Sequence, residues 1–310
     1  MKCRFGGLCL REDALSNAKP KLTRVRTLAC LLLLLSVQSA LAQKIASSEN
    51  AGDVRVEEHI FHSASLGRDM HYLILLPHDY SGGSRFPVLY LLHGLYGDYK
   101  NWDTKTRLEH IAGQYSLLIV TPDADDSWYT NSATEPADKF EDYIARDLIS
   151  EIDRKYRTVA EKRARAIAGL SMGGYGAVKF ALSYPDRFAF AGSLSGAFNA
   201  TQNLDDLRPE FRNQLRQVFG NAGSATRTDN DVFLLLKSSR HRYPYFYLAC
   251  GSSDFFLGTN RALAARLSAQ KIPYEYHETP GDHTWEYWDA GLTPLLQAVA
   301  RALGSKAESD

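Results

Sequence analysis

The sequence predicts an α/β protein: a mainly parallel sheet of eight strands with helices on both faces. Three observations lead there. Short β-rich runs alternate with longer helical patterns along most of the chain. The interior runs are almost continuously apolar, as strands covered on both faces must be. No repeat, low-complexity tract or long linker divides the chain, so its 310 residues, 45% hydrophobic and 23% charged, read as one large core. The same composition excludes disorder, collagen-like repeats and a polytopic membrane protein.

Taken in order, the chain opens with a basic stretch ending in Lys21, Arg24 and Arg26. It runs into the apolar segment from Leu28 to Leu35 and then reaches Ala40-Leu41-Ala42 before Gln43. That order of parts predicts a secretory signal at 1–42 with cleavage after Ala42. The apolar run is shorter than the roughly 18 residues of a membrane span, so no stable membrane insertion is expected after cleavage. Export to the periplasm or the exterior follows as an expectation. Thr27, three residues before Cys30, makes a lipoprotein signal a poor fit. A short linker at 43–52, a catalytic domain at 53–305 and a tail at 306–310 complete the expected organisation.

Without residues 1–42 the chain carries 29 basic against 34 acidic residues, a net of −5. A mildly acidic body is a poor electrostatic partner for nucleic acid, and none is expected. Of Cys3, Cys9, Cys30 and Cys250, only the last survives cleavage, which leaves no internal disulfide to form. No HExxH, CxxC or paired-histidine spacing occurs, so neither a metal nor another cofactor is expected.

The first two strand patterns, Val54–His62 and Met70–Leu76, alternate apolar and polar residues on either side of a Ser-Leu-Gly-Arg turn. They predict an antiparallel hairpin at one edge. Phe86–Leu92, Leu117–Thr121, Ala164–Ala168, Ala189–Leu194 and Tyr245–Cys250 are the interior strands, and Tyr274–Thr279 closes the series. Between them, Phe140–Tyr156 spaces Tyr143, Ile144, Leu148, Ile149 and Ile152 onto one helical face. Gly173–Ser183, Arg261–Ala269 and Trp285–Leu303 are further helices. Residues 197–243 break the rhythm with a polar stretch holding the patterns Leu207–Phe219 and Asp231–Lys237. An insertion there is expected to lie, lid-like, over the carboxyl edge of the sheet, where ligands of open α/β folds bind.

Chemistry enters at Gly169-Leu170-Ser171-Met172-Gly173, a G-x-S-x-G pattern between a strand and a helix. So sharp a turn has no room for side chains at Gly169 and Gly173, and it projects the serine into the cleft. A serine hydroxyl is a weak nucleophile until a base is held against it and a third group orients that base. His241, His277 and His283 are the histidines after Ser171. His283 alone follows a strand in a loop, Pro280-Gly281-Asp282, and is the expected base. The preceding strand ends in Gly251-Ser252-Ser253-Asp254, which places Asp254 to accept from the imidazole; Asp282, Asp229 and Asp231 are less well placed. The N–H of Met172 would face the developing oxyanion, and Leu95, in the loop His93-Gly94-Leu95-Tyr96 after the third strand, would supply a second N–H. His93, Tyr96, Trp102, Trp128, Tyr129 and Trp285 are the candidate walls of a substrate cleft, although aromatic residues in such loops pack as often as they recognise.

Together these segments resemble the putative-esterase branch of the α/β-hydrolases, the esterase D-like group. The residues that carry the likeness are His93-Gly94-Leu95, Ser127-Trp128-Tyr129, Gly169 to Gly174, Cys250-Gly251 with Asp254, and Pro280 to His283 with Trp285 and Trp288. The branch includes S-formylglutathione hydrolases, tributyrin-type carboxylesterases, feruloyl and acetylxylan esterases, and mycolyltransferases. The resemblance spans roughly residues 53–303 and is loose at 197–243. It implies an α/β-hydrolase fold, Ser171, Asp254 and His283 as a triad, and Leu95 and Met172 as oxyanion donors. A serine carboxylesterase acting on short-chain or aryl esters, small or polysaccharide-linked, is the expectation. An acyltransferase, an S-formylglutathione hydrolase-like thioesterase and a non-catalytic binding module are the alternatives. Export disfavours the cytosolic thioester, and an intact serine, acid and base have no use in a binding module.

Overall fold

The structure, a computed structural model, describes residues 54–202, 204, 208–236 and 243–305. The expected signal, the linker and the tail lie outside the described residues, as does His241. Eight strands form one sheet: β1 (Arg55–Ser63), β2 (Arg68–Leu76), β3 (Val88–Leu92), β4 (Leu118–Pro122), β5 (Arg165–Leu170), β6 (Phe190–Leu194), β7 (Tyr245–Gly251) and β8 (Tyr274–Thr279). Their order across the sheet is β1-β2-β4-β3-β5-β6-β7-β8. The hairpin pairs Arg55 with Leu76 through to Ser63 with Arg68, and β2 meets β4 antiparallel. All remaining pairs are parallel.

Alternation along each strand builds two cores. Val88, Tyr90 and Leu92 face one side of the sheet with Leu118 and Val120. Leu89, Leu91 and Ile119 face the other. Such strands must be apolar at every position, which is why their sequences read as unbroken runs. The first core is covered by the helical segment 140–155 and the helices Met172–Ser183 and Leu257–Ala269. The helix Trp285–Leu303 covers the second, with two short helices, Asn101–Lys105 and Leu108–Ala112. Among the described residues no helix is long and apolar enough to cross a membrane.

Several boundaries differ from expectation for identifiable reasons. Phe86 does not begin β3: Pro87 lacks an N–H, and Phe86 bridges to Thr158 instead. The segment 140–155 is helical throughout but widens into a π turn over Tyr143–Leu148. The helix expected at Arg261 begins at Leu257, where Asn260 is held by its own Nδ2–H bond to the Gly196 carbonyl. In the insertion, Pro209–Phe219 starts with proline in its first turn, and Val232–Leu235 is only four residues long, capped by Asp231. The short helices at 101–112 carry too little periodic signal to be read from sequence.

Candidate active site

Ser171 joins β5 to the helix Met172–Ser183 with φ 54° and ψ −116°. A non-glycine residue there is strained, and the backbone around it fixes the strain. Its N–H donates to Leu194 O at 2.9 Å, and its carbonyl accepts from Tyr175 and Ala197. A Cβ on Gly169 would stand 2.5 Å from the Gly173 carbonyl carbon, and one on Gly173 would stand 2.4 Å from Leu92 O. Both are backbone collisions that nothing can relieve, so the turn requires glycine at each position.

The Ser171 Oγ lies 3.0 Å from His283 Nε2, and His283 Nδ1 lies 2.9 Å from Asp254 Oδ2. These three residues, from the ends of β5, β7 and β8, therefore form one hydrogen-bonded chain. The Asp254 side chain is fully buried, and that of His283 is partly exposed to the cleft. Burial opposes ionisation of Asp254. Hydrogen bonds from His283, the Ser195 hydroxyl and the Phe256 N–H together outweigh it and hold the carboxyl below its usual range. An ionised carboxylate can only accept, so Nδ1 carries a proton and Nε2 presents a lone pair to the serine hydroxyl. Asp282 is spent elsewhere, accepting from the His283 backbone N–H at 2.7 Å. His277 is exposed and bonds to Glu275.

The loop after β3 sits directly against the serine. A Cβ on Gly94 would meet the Leu170 side chain at 2.6 Å and Ser171 Cβ at 3.5 Å. Leu95 follows it and lines the cleft, and Met172 opens the helix that Ser171 precedes. Neither N–H has a protein acceptor among the described residues. An arrangement of this kind can activate a hydroxyl and receive negative charge beside it.

The serine opens into a cleft of about 980 Å³. Of the expected walls, Tyr96, Trp128 and Trp285 line it. His93, Trp102 and Tyr129 do not, and the expectation for them is corrected. Trp102 is buried and its Nε1–H donates to Leu92 O. The His93 ring is buried too: Nε2 accepts from Ala124 N, which leaves Nδ1–H to donate to Gly94 O. Burial holds that imidazole below its usual range, so it stays neutral and braces the loop. Tyr129, also buried, donates its hydroxyl to His93 O at 2.8 Å.

Sequence reading missed four aromatic residues of the cleft. Phe255 and Trp288 lie with ring centroids 4.5 Å and 4.9 Å from that of His283, and Phe256 lies at 5.3 Å. Phe255 and Phe256 follow Asp254 directly, a proximity that could have flagged them. Phe211, from the insertion, faces Trp128 and carried no signal. Ser195 was missed as well; its Oγ accepts from Trp288 Nε1, which ties the cleft wall to the support of Asp254.

Residues 63–299 match the protein family described as putative esterase. An acetyl esterase of Caldicellulosiruptor saccharolyticus is 30% identical over 259 residues, 78% of this chain and 96% of that one. Mycobacterium tuberculosis Ag85A, a diacylglycerol acyltransferase/mycolyltransferase, is 26% identical over 78% of this chain and 80% of its own. Among solved structures, the fluorophosphonate-binding serine hydrolase FphF of Staphylococcus aureus superimposes with a TM-score of 0.73 at 29% identity. That likeness covers 81% of this chain and 99% of FphF.

Proposed function

Because this chain belongs to the putative esterase family and is a carboxylic ester hydrolase, we propose that it cleaves short-chain or aryl esters through an acyl-enzyme on Ser171. The observation that supports the reading is the chain of hydrogen bonds from Ser171 through His283 to Asp254 at the floor of the cleft. In this mechanism His283 Nε2 takes the hydroxyl proton as Oγ attacks the ester carbonyl. The resulting oxyanion is held by the N–H groups of Leu95 and Met172. Collapse of the tetrahedral species breaks the ester C–O bond while His283 gives its proton to the departing alcohol, and water repeats the sequence to free the acid.

The alcohol departs on the side of the imidazole that protonates it, past Phe255 and Trp285. The acyl group is held against Trp128 and Phe211, an aromatic wall suited to an aryl or short alkyl chain. A second reading, transfer of the acyl group to a sugar hydroxyl in place of water, is favoured by the likeness to a mycolyltransferase.

A panel of p-nitrophenyl acyl esters and methyl ferulate, assayed with and without glucose, tests both. Release of free acid unaffected by the sugar supports the hydrolase, and acylated glucose supports the transferase. A fluorophosphonate probe is expected to label Ser171; a chain that stays unlabelled and turns over no ester is a binding module and ends the proposal. We further propose that the protein is exported. Expressed in a bacterium, it is expected to mature to a chain beginning at Gln43, and recovery of the uncleaved chain from the cytoplasm would refute this.

A further inference from the structure

The Lys179 side chain is fully buried in the helix that starts at Ser171, yet it touches no substrate atom in the mechanism above. All three of its ammonium hydrogens have acceptors: Tyr129 O at 2.6 Å, Glu141 Oε2 at 2.8 Å and Thr130 Oγ1 at 3.3 Å. Glu141 is fixed in turn, its other oxygen accepting from Tyr184 OH at 2.8 Å. The Thr130 hydroxyl passes its own hydrogen to Trp128 O. The ammonium thus holds the carbonyl side of a turn in which Trp128 and Tyr129 both have positive φ, 55° and 54°.

Two consecutive non-glycine residues in the left-handed region relax unless their surroundings prevent it. Here Gly176, one helical turn before Lys179, leaves room for the Tyr129 ring, since a Cβ on it would stand 2.6 Å from Tyr129 Cδ2. The Tyr129 hydroxyl reaches on to His93 O beside the Leu95 loop, while Trp128 forms the cleft wall.

We propose that Lys179 is a positioning residue that fixes the Trp128–Tyr129 turn from behind and so sets which acyl groups the cleft accepts. The proposal rests on the esterase reading and extends it: the nucleophile helix itself carries the anchor of the acyl wall. Acetyl, too short to depend on that wall, needs the anchor least. Butyryl and feruloyl groups need it most.

The test replaces the pair together, Lys179→Met with Glu141→Gln, so that no charge is left buried alone. Expected is a kcat/KM for p-nitrophenyl acetate within about threefold of wild type, with KM for the butyrate and for methyl ferulate raised by about tenfold or more. Arg165→Met with Asp153→Asn removes a different partly buried ion pair, one that does not touch the turn. It is expected to lower Tm and leave the ratio between esters unchanged. Should the first double variant fail to fold, Thr130→Val cuts the same turn more gently and is expected to shift the ratio in the same direction. An unchanged ratio, or an equal shift in the Arg165/Asp153 control, overturns the proposal.

A readout independent of turnover separates this from failure of the esterase reading. The Lys179/Glu141 variant is expected to change the near-ultraviolet circular dichroism, and that change should vanish in a Trp128→Phe background. If wild type hydrolyses none of the esters, the function is wrong while this spectral comparison still decides the role of Lys179.

Discussion

Ser171→Ala is expected to lower kcat for ester hydrolysis by about 10³- to 10⁶-fold while the protein stays folded. The proposed acyl-enzyme needs an oxygen at this position, and His283 has no other hydroxyl within hydrogen-bond reach among the described residues. Losing one hydroxyl does not endanger the fold. The turn is held by glycine contacts at Gly169 and Gly173 and by the Ser171 backbone bonds to Leu194, Tyr175 and Ala197, all of which survive the change. The residual rate would come from the proposed oxyanion donors and binding alone. Steady-state kinetics beside a thermal melt checks both halves: near-normal turnover in a folded variant would show that Ser171 is not the nucleophile.

Asp254→Asn is expected to cost about 10⁴-fold in kcat at neutral pH, for a reason that lies in its other oxygen. Oδ1 accepts from the Phe256 N–H at 2.8 Å, while Oδ2 faces His283 Nδ1. An amide placed here keeps its oxygen on the Phe256 N–H and turns its NH₂ toward Nδ1. The imidazole must then accept at Nδ1 and carry its proton on Nε2, where it cannot take one from Ser171. A kcat within tenfold of wild type would refute Asp254 as the orienting acid.

The same carboxylate couples stability to pH. Its folded pKa is lowered, so its contribution is complete above the ordinary aspartate value, about 3.9, and is lost as pH falls through the lowered folded value. The Tm difference between wild type and Asp254→Asn is therefore expected to be constant near pH 6 and to shrink in wild type's disfavour below about pH 4. Thermal melts across that range would expose the opposite slope if the assignment were wrong.

Much of this site was legible because its constraints are local. Sharp reversal after β5 needs glycine on both sides of Ser171, and that requirement is written in five consecutive letters. His283 and Asp254 are found by their position just beyond strand ends, which apolar runs reveal. The aromatic residues were not so easily sorted. Trp102, Trp128 and Tyr129 look alike in sequence, aromatic residues in the segments that follow strands, yet only Trp128 reaches the cleft. Lys179 was invisible for the opposite reason: in a helix it reads as a solvated charge, and only its acceptors, the Tyr129 carbonyl on a loop and Glu141 on the helical segment 140–155, explain its burial.

The sequence alone determined the sheet with its two covered faces, the strained turn at Ser171 and the three polar side chains that meet there. Strand alternation and glycine spacing are short-range properties, and a folded chain cannot escape them. Tertiary structure decided which side of each loop faces the cleft, which described residues of the insertion line it, and which buried polar groups support its walls. Those outcomes depend on partners dozens of residues away, such as Lys179 for Tyr129 and Tyr129 for His93, whose hydrogen bonds come into existence only when the sheet brings them together.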